Sequence, residues 1–241
     1  MDTEKKIKIL EVWIDNLNKE EVLNKIKYFL EEDKFHQIAT VNPEFILEAQ
    51  KNSEFKNILN NSDLRVADGV GIWFSFLRFG KLLKIKITGA DLMEKILKIA
   101  EEKNIGIFLA ANQEGLSMWE ETRGAILKKY PKLKIGGINL NKKNPKFKIQ
   151  NPNYGIVFCN FGAPDQEKFI DSLKLLENSK IKLAMGVGGS FDFLVGKIKR
   201  APKFMRAVGL EWLWRLLQQP RRIKRIFNAV IIFPIKIIFT R

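Results

Sequence analysis

The residues best suited to chemistry in this 241-residue chain lie in one short stretch, Gly186-Val187-Gly188-Gly189-Ser190-Phe191-Asp192. It follows Ile181-Lys182-Leu183-Ala184-Met185, which has the length and composition of a buried strand, and it precedes Phe193-Leu194-Val195, after which the sequence turns basic. A strand's C-terminal end is where open α/β sheets bind ligands, and adjacent glycines let backbone N–H groups approach a phosphate that any Cβ would hold away. Asp192, a few residues on, could accept hydrogen bonds from a base or a ribose. The plainer alternative is a Gly188-Gly189 turn with Asp192 as a helix cap.

Three other segments carry polar residues where an apolar run stops: Thr40-Val41-Asn42, Asp68-Gly69, and Asn160-Phe161-Gly162-Ala163-Pro164-Asp165-Gln166-Glu167. In a parallel sheet all four would meet on one rim, which favours a shared site over a collection of caps and turns. Asp68, between a strand end and a glycine, is placed to act as a general base or to cap the following helix.

The elements that must position these residues alternate along the chain. Strands are expected at Ile7–Ile14, Gln37–Val41, Leu64–Ala67, Ile105–Ala110, Lys134–Ile138 and Gly155–Cys159. Helices are expected at Glu20–Leu30, over Glu44–Asn60, through Ile72–Leu77, from Thr88 to about Lys103, and at Glu114–Lys129 and Asp165–Leu176. Asn18 with Glu21, Asn42 before Pro43, and Thr88 with Asp91 have the pattern of helix N-termini. Such alternation predicts an α/β, Rossmann-like, mostly parallel sheet flanked by helices. Asn141–Asn153, rich in Asn, Lys and Pro, reads as a surface loop.

Composition bounds the function. Hydrophobic residues at 46% and charged residues at 29% are ordinary for a globular protein. A single Cys, Cys159, and a single His, His36, exclude a disulfide framework and leave no plausible zinc cluster. Cys159 reads as a small buried hydrophobe and His36 as structural. No apolar segment behind a basic start suggests secretion, so a cytoplasmic catalytic part is expected. The net charge is +15, of which residues 195–241, with 12 Lys/Arg and one acid, Glu211, contribute +11. That contrast sets residues 1–194, an α/β core, apart from residues 195–241, a basic amphipathic appendage.

Taken together, Thr40-Val41-Asn42-Pro43-Glu44, Ala67-Asp68-Gly69-Val70-Gly71, Thr88-Gly89-Ala90-Asp91-Leu92, Gly162-x-Pro164-x-Gln166-Glu167, the Gly186–Asp192 stretch, Arg200-Ala201-Pro202 and Gly209-Leu210-Glu211-Trp212-Leu213 resemble, in order, the blocks of the WecG/TagA/CpsF glycosyltransferases. The resemblance runs from about Ile7 to Arg225. It implies transfer of a sugar from a UDP-sugar to a lipid-diphosphate-linked sugar at the cytoplasmic face of the membrane by a peripheral protein. In the TagA branch the donor is UDP-N-acetylmannosamine, the acceptor undecaprenyl-diphospho-N-acetylglucosamine, and the product a β-linked disaccharide primer of wall teichoic acid. It further implies inversion, no metal and no cofactor. By motif position Asp68 falls on the family's base, while Thr40, Asn42 and Gln166 fall on other active-site positions. Gly162, Gly188, Gly189, Asp192 and Lys86 are assigned to the donor. Two positions depart from the usual pattern: Asp165 stands where many members carry Lys, and Lys86 stands where an Arg often precedes Thr-Gly. A Lys meets phosphate as a point charge, without the bidentate grip of Arg.

The residues are compatible with that chemistry on their own terms. Inverting transfer is one displacement at the anomeric carbon, and it requires a base and a means of stabilising the departing diphosphate. The chain contains no Asp-x-Asp, a common metal-diphosphate signature, so backbone amides and Arg215, Arg221, Arg222 and Arg225 are the candidates for that second task. The final apolar run, Ile226–Phe239, would reach about 21 Å as a helix, short of about 30 Å of hydrocarbon. With Trp212, Trp214, Phe227, Phe233 and Phe239 among its basic residues, the appendage suits the interface of an anionic bilayer. Packing on the core, or formation of a homo-oligomer, is the alternative use of the same surface. The charge would also permit a non-enzymatic nucleic-acid-binding protein, but the long aliphatic runs and acid-bearing strand ends argue against nucleic acid as a partner. A different donor, UDP-glucose or a UDP-uronic acid, stays open.

Overall fold

The computed structural model describes residues 5–143, 145, 154–176 and 179–240. Much of the Asn141–Asn153 loop expected from the sequence lies outside them. In chain order the elements are β1 (Lys6–Ile9), β2 (Val12–Asp15), α1 (Lys19–Glu31), β3 (His36–Val41), α2 (Pro43–Ala49), α3 (Ser53–Asn61), β4 (Leu64–Ala67) and α4 (Val70–Arg78). There follow α5 (Gly89–Glu102), β5 (Gly106–Asn112), α6 (Trp119–Lys129), β6 (Ile135–Leu140), β7 (Tyr154–Cys159), α7 (Asp165–Ser172), β8 (Leu183–Gly186) and α8 (Ser190–Val195). The last part comprises α9 (Lys203–Ala207), α10 (Glu211–Gln218), α11 (Ile223–Phe227) and α12 (Phe233–Phe239), the last two joined through a π-helical turn at Asn228–Ile232.

Six strands form one parallel sheet in the order β4-β3-β8-β7-β5-β6. Strand residues alternate between two covered faces, as a parallel sheet requires. Ile38, Leu64, Val66, Ile156 and Phe158 enter a layer with α1, α5 and α6. Ala39, Val41 and Ala67 face a layer with α2, α3 and α4, and Val157 and Cys159 one with α7. The four strands whose ends drew attention, β4, β3, β8 and β7, are consecutive neighbours, with Val41 opposite Ala67 and Cys159 opposite Gly186. Parallel register therefore brings their polar termini to one rim.

The expected N-termini form as read. Asn18 and Glu21 make a reciprocal capping box, and the Asn42 and Thr88 side chains accept from the backbone N–H groups of Phe45 and Asp91. Three expectations change. Ile7–Ile14 is an antiparallel hairpin with Leu10 and Glu11 at φ 44° and 64°, so alternation continued through a turn that no glycine marked. α6 starts at Trp119 rather than Glu114, because Gly115 turns back onto the Asn112 carbonyl and Glu121 accepts from the Met118 N–H. Phe233, expected at a bilayer interface, is wholly buried, and with Ile237 it packs into the layer of Ile72 and Phe76. No helix among the described residues is long and apolar enough to cross a membrane.

Candidate active site

A cleft of about 470 Å³ opens along the rim formed by β4, β3, β8, β7 and β5, roofed by α10 and the start of α11. Thr40, Asn42, Asp68, Gly162, Gln166, Gly188, Gly189, Asp192, Arg215, Arg222 and Arg225 all line it. Lys86 and Arg221 are not among the lining residues, and Arg221 is exposed. Cys159 is buried below, its thiol pushed up by burial, and His36 sits at the opposite end of β3 stacked on Phe29. Both fit the structural roles expected of them.

Asp68 follows β4 directly, and its N–H donates to the Val41 carbonyl at 2.8 Å. It does not cap α4: the N-cap is Gly69, which makes no side-chain bond there. Burial pushes its carboxyl up to about 7; the nearby Glu211 charge adds to this, and the Gly89 N–H, Arg215 and Lys86 oppose it. Lys86 therefore acts on Asp68 through its charge rather than from the wall of the cleft. Thr40 is buried beside Gly89, at the start of α5.

The two glycine turns are stapled by Gln166. Its Oε1 accepts from the Gly162 and Gly188 N–H groups, each at 3.1 Å, and its Nε2 donates to Glu167 Oε1 at 2.7 Å. Gly162 and Gly188 adopt φ of 79° and 49°, the left-handed region in which a side chain would be strained. Asp192 caps nothing: it is buried, and its Oδ1 has no hydrogen-bond partner among the described residues.

Arg215 reaches from α10 across the rim. Its guanidinium lies over the Phe193 ring at 5.2 Å and against Gly189, where a Cβ would collide with it. Its Nε and Nη2 are enclosed without partners among the described residues. Burial and Arg225 lower its pKa, and burial with Arg215 and Arg225 lowers that of Arg222 to about 10. Arg225 is engaged by Glu44 through Nε at 2.7 Å and Nη2 at 2.5 Å. Three crowded guanidinium groups over a glycine-walled rim, with Arg215 donors unpartnered among the described residues, have the charge and the donors to receive an anion with several oxygens.

The model of the WecG/TagA/CpsF glycosyl transferase family matches residues 7–241. The chain belongs to this family. Among curated relatives, N-acetylglucosaminyldiphosphoundecaprenol N-acetyl-beta-D-mannosaminyltransferase of Staphylococcus aureus (strain MRSA252) is 32% identical over 242 residues, covering 96% of this chain and 92% of that protein. The Bacillus subtilis (strain 168) enzyme of the same name is 31% identical over 209 residues, 84% of this chain and 79% of its own length. The Bacillus spizizenii (strain ATCC 23059 / NRRL B-14472 / W23) enzyme is 31% identical over 204 residues, with shares of 83% and 78%. This family member is thus a glycosyltransferase, and the cleft is its candidate active site.

Several residues of the cleft were not singled out from the sequence. Glu211 and Glu44 stand in the family blocks without an assigned role and Asn112 stands outside them, yet all three line the cleft. Arg200, in the Arg-Ala-Pro block, binds Asp91 at 2.8 Å at the start of α5, the helix whose Gly89 N–H meets Asp68. The signal available for Glu211 is that it is the one acid of residues 195–241; its charge acts on Asp68, Arg200 and Arg215.

Proposed function

We propose that this family member transfers N-acetylmannosamine from UDP-N-acetylmannosamine to undecaprenyl-diphospho-N-acetylglucosamine, with inversion to a β linkage, in assembly of the wall teichoic acid linkage unit. The observation that carries the chemistry is Asp68, a carboxyl with its pKa pushed to about 7 at the floor of a cleft roofed by arginines. A base poised near neutral pH combines a useful ionised fraction with a strong affinity for the proton it must take. In the reaction the acceptor hydroxyl oxygen bonds to the anomeric carbon, Asp68 takes the hydroxyl proton, and the bond from that carbon to the UDP β-phosphate oxygen breaks, releasing UDP. One displacement inverts the anomeric centre.

Charge appearing on the leaving diphosphate is matched by Arg215 and Arg222, with Arg225 available by exchange from Glu44, so the transfer proceeds without a metal or other cofactor. Asp192, with its unpartnered oxygen, suits the ribose hydroxyls. The transferred N-acetylmannosamine and the acceptor rest on the names of the relatives, of which the Staphylococcus aureus enzyme covers 96% of this chain, and UDP rests on the family resemblance. Residues 195–241 serve as an appendage that carries the arginines to the site and rests peripherally on the anionic cytoplasmic membrane face. Exposed Ile223, Phe227, Ile231, Ile235 and Phe239 supply the apolar contact.

The test is the pH dependence of turnover in the purified protein. With Asp68 as base, kcat/KM rises tenfold per pH unit on the acid side and levels off near pH 7, and the Asp68→Asn variant loses this limb together with its activity. A variant that retains both the rate and the limb would remove Asp68 from the reaction.

A further inference from the structure

Glu167 lies beneath the cleft and takes no part in the reaction as described. It is 2% exposed, its Oε1 accepts from Gln166 Nε2 at 2.7 Å, and its Oε2 has no partner among the described residues. A charged or polar group enclosed in this way is costly unless it orders something. What it can order is the Gln166 amide, whose carbonyl oxygen receives both the Gly162 and the Gly188 N–H. Flipping that amide would set an NH₂ against two backbone donors, orphaning both, and would aim its carbonyl at Glu167. Gly186 bears on the same point, since a Cβ there would run into the Gln166 amide and come within 2.7 Å of Glu167 Oε1.

We infer that Glu167 is a positioning residue: by holding the Gln166 amide in one orientation, it locks together the turns at Gly162 and Gly188 that form the glycine wall of the donor site. This rests on the reading of that wall as part of the UDP site, but the lock itself is a property of the unliganded protein. It explains why a glutamine, a glutamate and three glycines from different strand ends occur together, none of the five being required to touch the sugar. Burial keeps the Glu167 carboxyl up to about 8, so near neutral pH it is mostly the uncharged acid. A glutamine reproduces the shape and the accepting carbonyl of that form.

The test uses the full chain in three variants, Glu167→Gln, Glu167→Leu and Gly186→Ala, with two measurements. In the first, amide hydrogen exchange of the Gly162 and Gly188 N–H groups without ligand, Glu167→Leu and Gly186→Ala are expected to exchange at least tenfold faster than wild type, and Glu167→Gln within threefold of it. In the second, UDP titration and donor kinetics, the same two variants are expected to weaken UDP binding and raise the donor KM tenfold or more. Their kcat at saturating donor falls by less than threefold, and Glu167→Gln restores wild-type behaviour. If Glu167→Leu does not fold, Gly186→Ala against Glu167→Gln decides. Unchanged exchange at both glycines in folded Glu167→Leu or Gly186→Ala overturns the inference, as does a Glu167→Gln variant as impaired as Glu167→Leu. Normal exchange effects in a protein that does not bind UDP would instead overturn the donor reading and leave the lock standing.

Discussion

Replacing Asp68 by Asn separates a catalytic role from a structural one, because the two effects have opposite signs. As the base, Asp68 should be worth about 10²- to 10⁴-fold in turnover, with UDP affinity within a few-fold of wild type. As a half-buried acid with a raised pKa, it binds a proton in the native state that the unfolded chain releases near pH 4, so its contribution to stability declines as pH rises from about 4 to about 7. Asn removes that penalty. Asp68→Asn is therefore expected to melt higher than wild type at pH 8 and no higher at pH 4, measured by calorimetry, while being nearly inactive. Glu211→Gln tests the neighbouring charge. Its removal takes away one of the causes that raise Asp68, so the acid limb of kcat/KM should move to lower pH. A limb that stays in place would mean that Glu211 does not influence the base.

At the scale of elements, the strand ends were legible because parallel pairing converts a list of segment termini into a single rim, and β4, β3, β8 and β7 prove to be neighbours. Helix starts at Asn18, Asn42 and Thr88 were legible because each is a local bargain between one side chain and one or two N–H groups. The hairpin at residues 6–15 was not, since Leu10 and Glu11 turn the chain without a glycine or asparagine to signal it. Nor was the Gln166 staple, which joins N–H groups 26 residues apart in sequence through a side chain between them. The same limit applies to Gly189, whose glycine character suggested a phosphate and whose immediate neighbour is the Arg215 guanidinium. Gly189→Val must displace that side chain. UDP affinity by calorimetry is expected to fall at least tenfold in a variant that still melts cooperatively; unchanged affinity would detach both Gly189 and Arg215 from the donor site.

For the molecule as a whole, the basic charge of residues 195–241 was legible in composition, but their packing was not. Phe233 and Ile237 contribute to the layer that also holds Ile72, Phe76 and Ile46, so the final helix is bound to the core, with Ile235, Ile238 and Phe239 left exposed. Removing residues 195–241 would uncover that layer, and substitutions on the outer face are the cleaner probe. Ile231→Ser with Ile235→Ser, at two exposed positions, should weaken sedimentation with anionic vesicles while leaving transfer to a soluble acceptor analogue intact. Binding of the unaltered chain should fall as salt rises, because each basic residue near an anionic surface adds about 1 kcal/mol that screening removes. Vesicle binding that is indifferent to both changes would assign the exposed stripe to another partner.

The most direct measurement is UDP release by the purified full-length chain with a short-chain lipid-diphosphate-N-acetylglucosamine acceptor, across UDP-N-acetylmannosamine, UDP-glucose, UDP-N-acetylglucosamine and a UDP-uronic acid, with and without EDTA. The expected result is acceptor-dependent release from UDP-N-acetylmannosamine alone, one β-linked disaccharide per UDP, unaffected by EDTA and abolished in Asp68→Asn. Transfer from another donor with none from UDP-N-acetylmannosamine, or transfer lost on chelation and restored by Mg²⁺ or Mn²⁺, would contradict it.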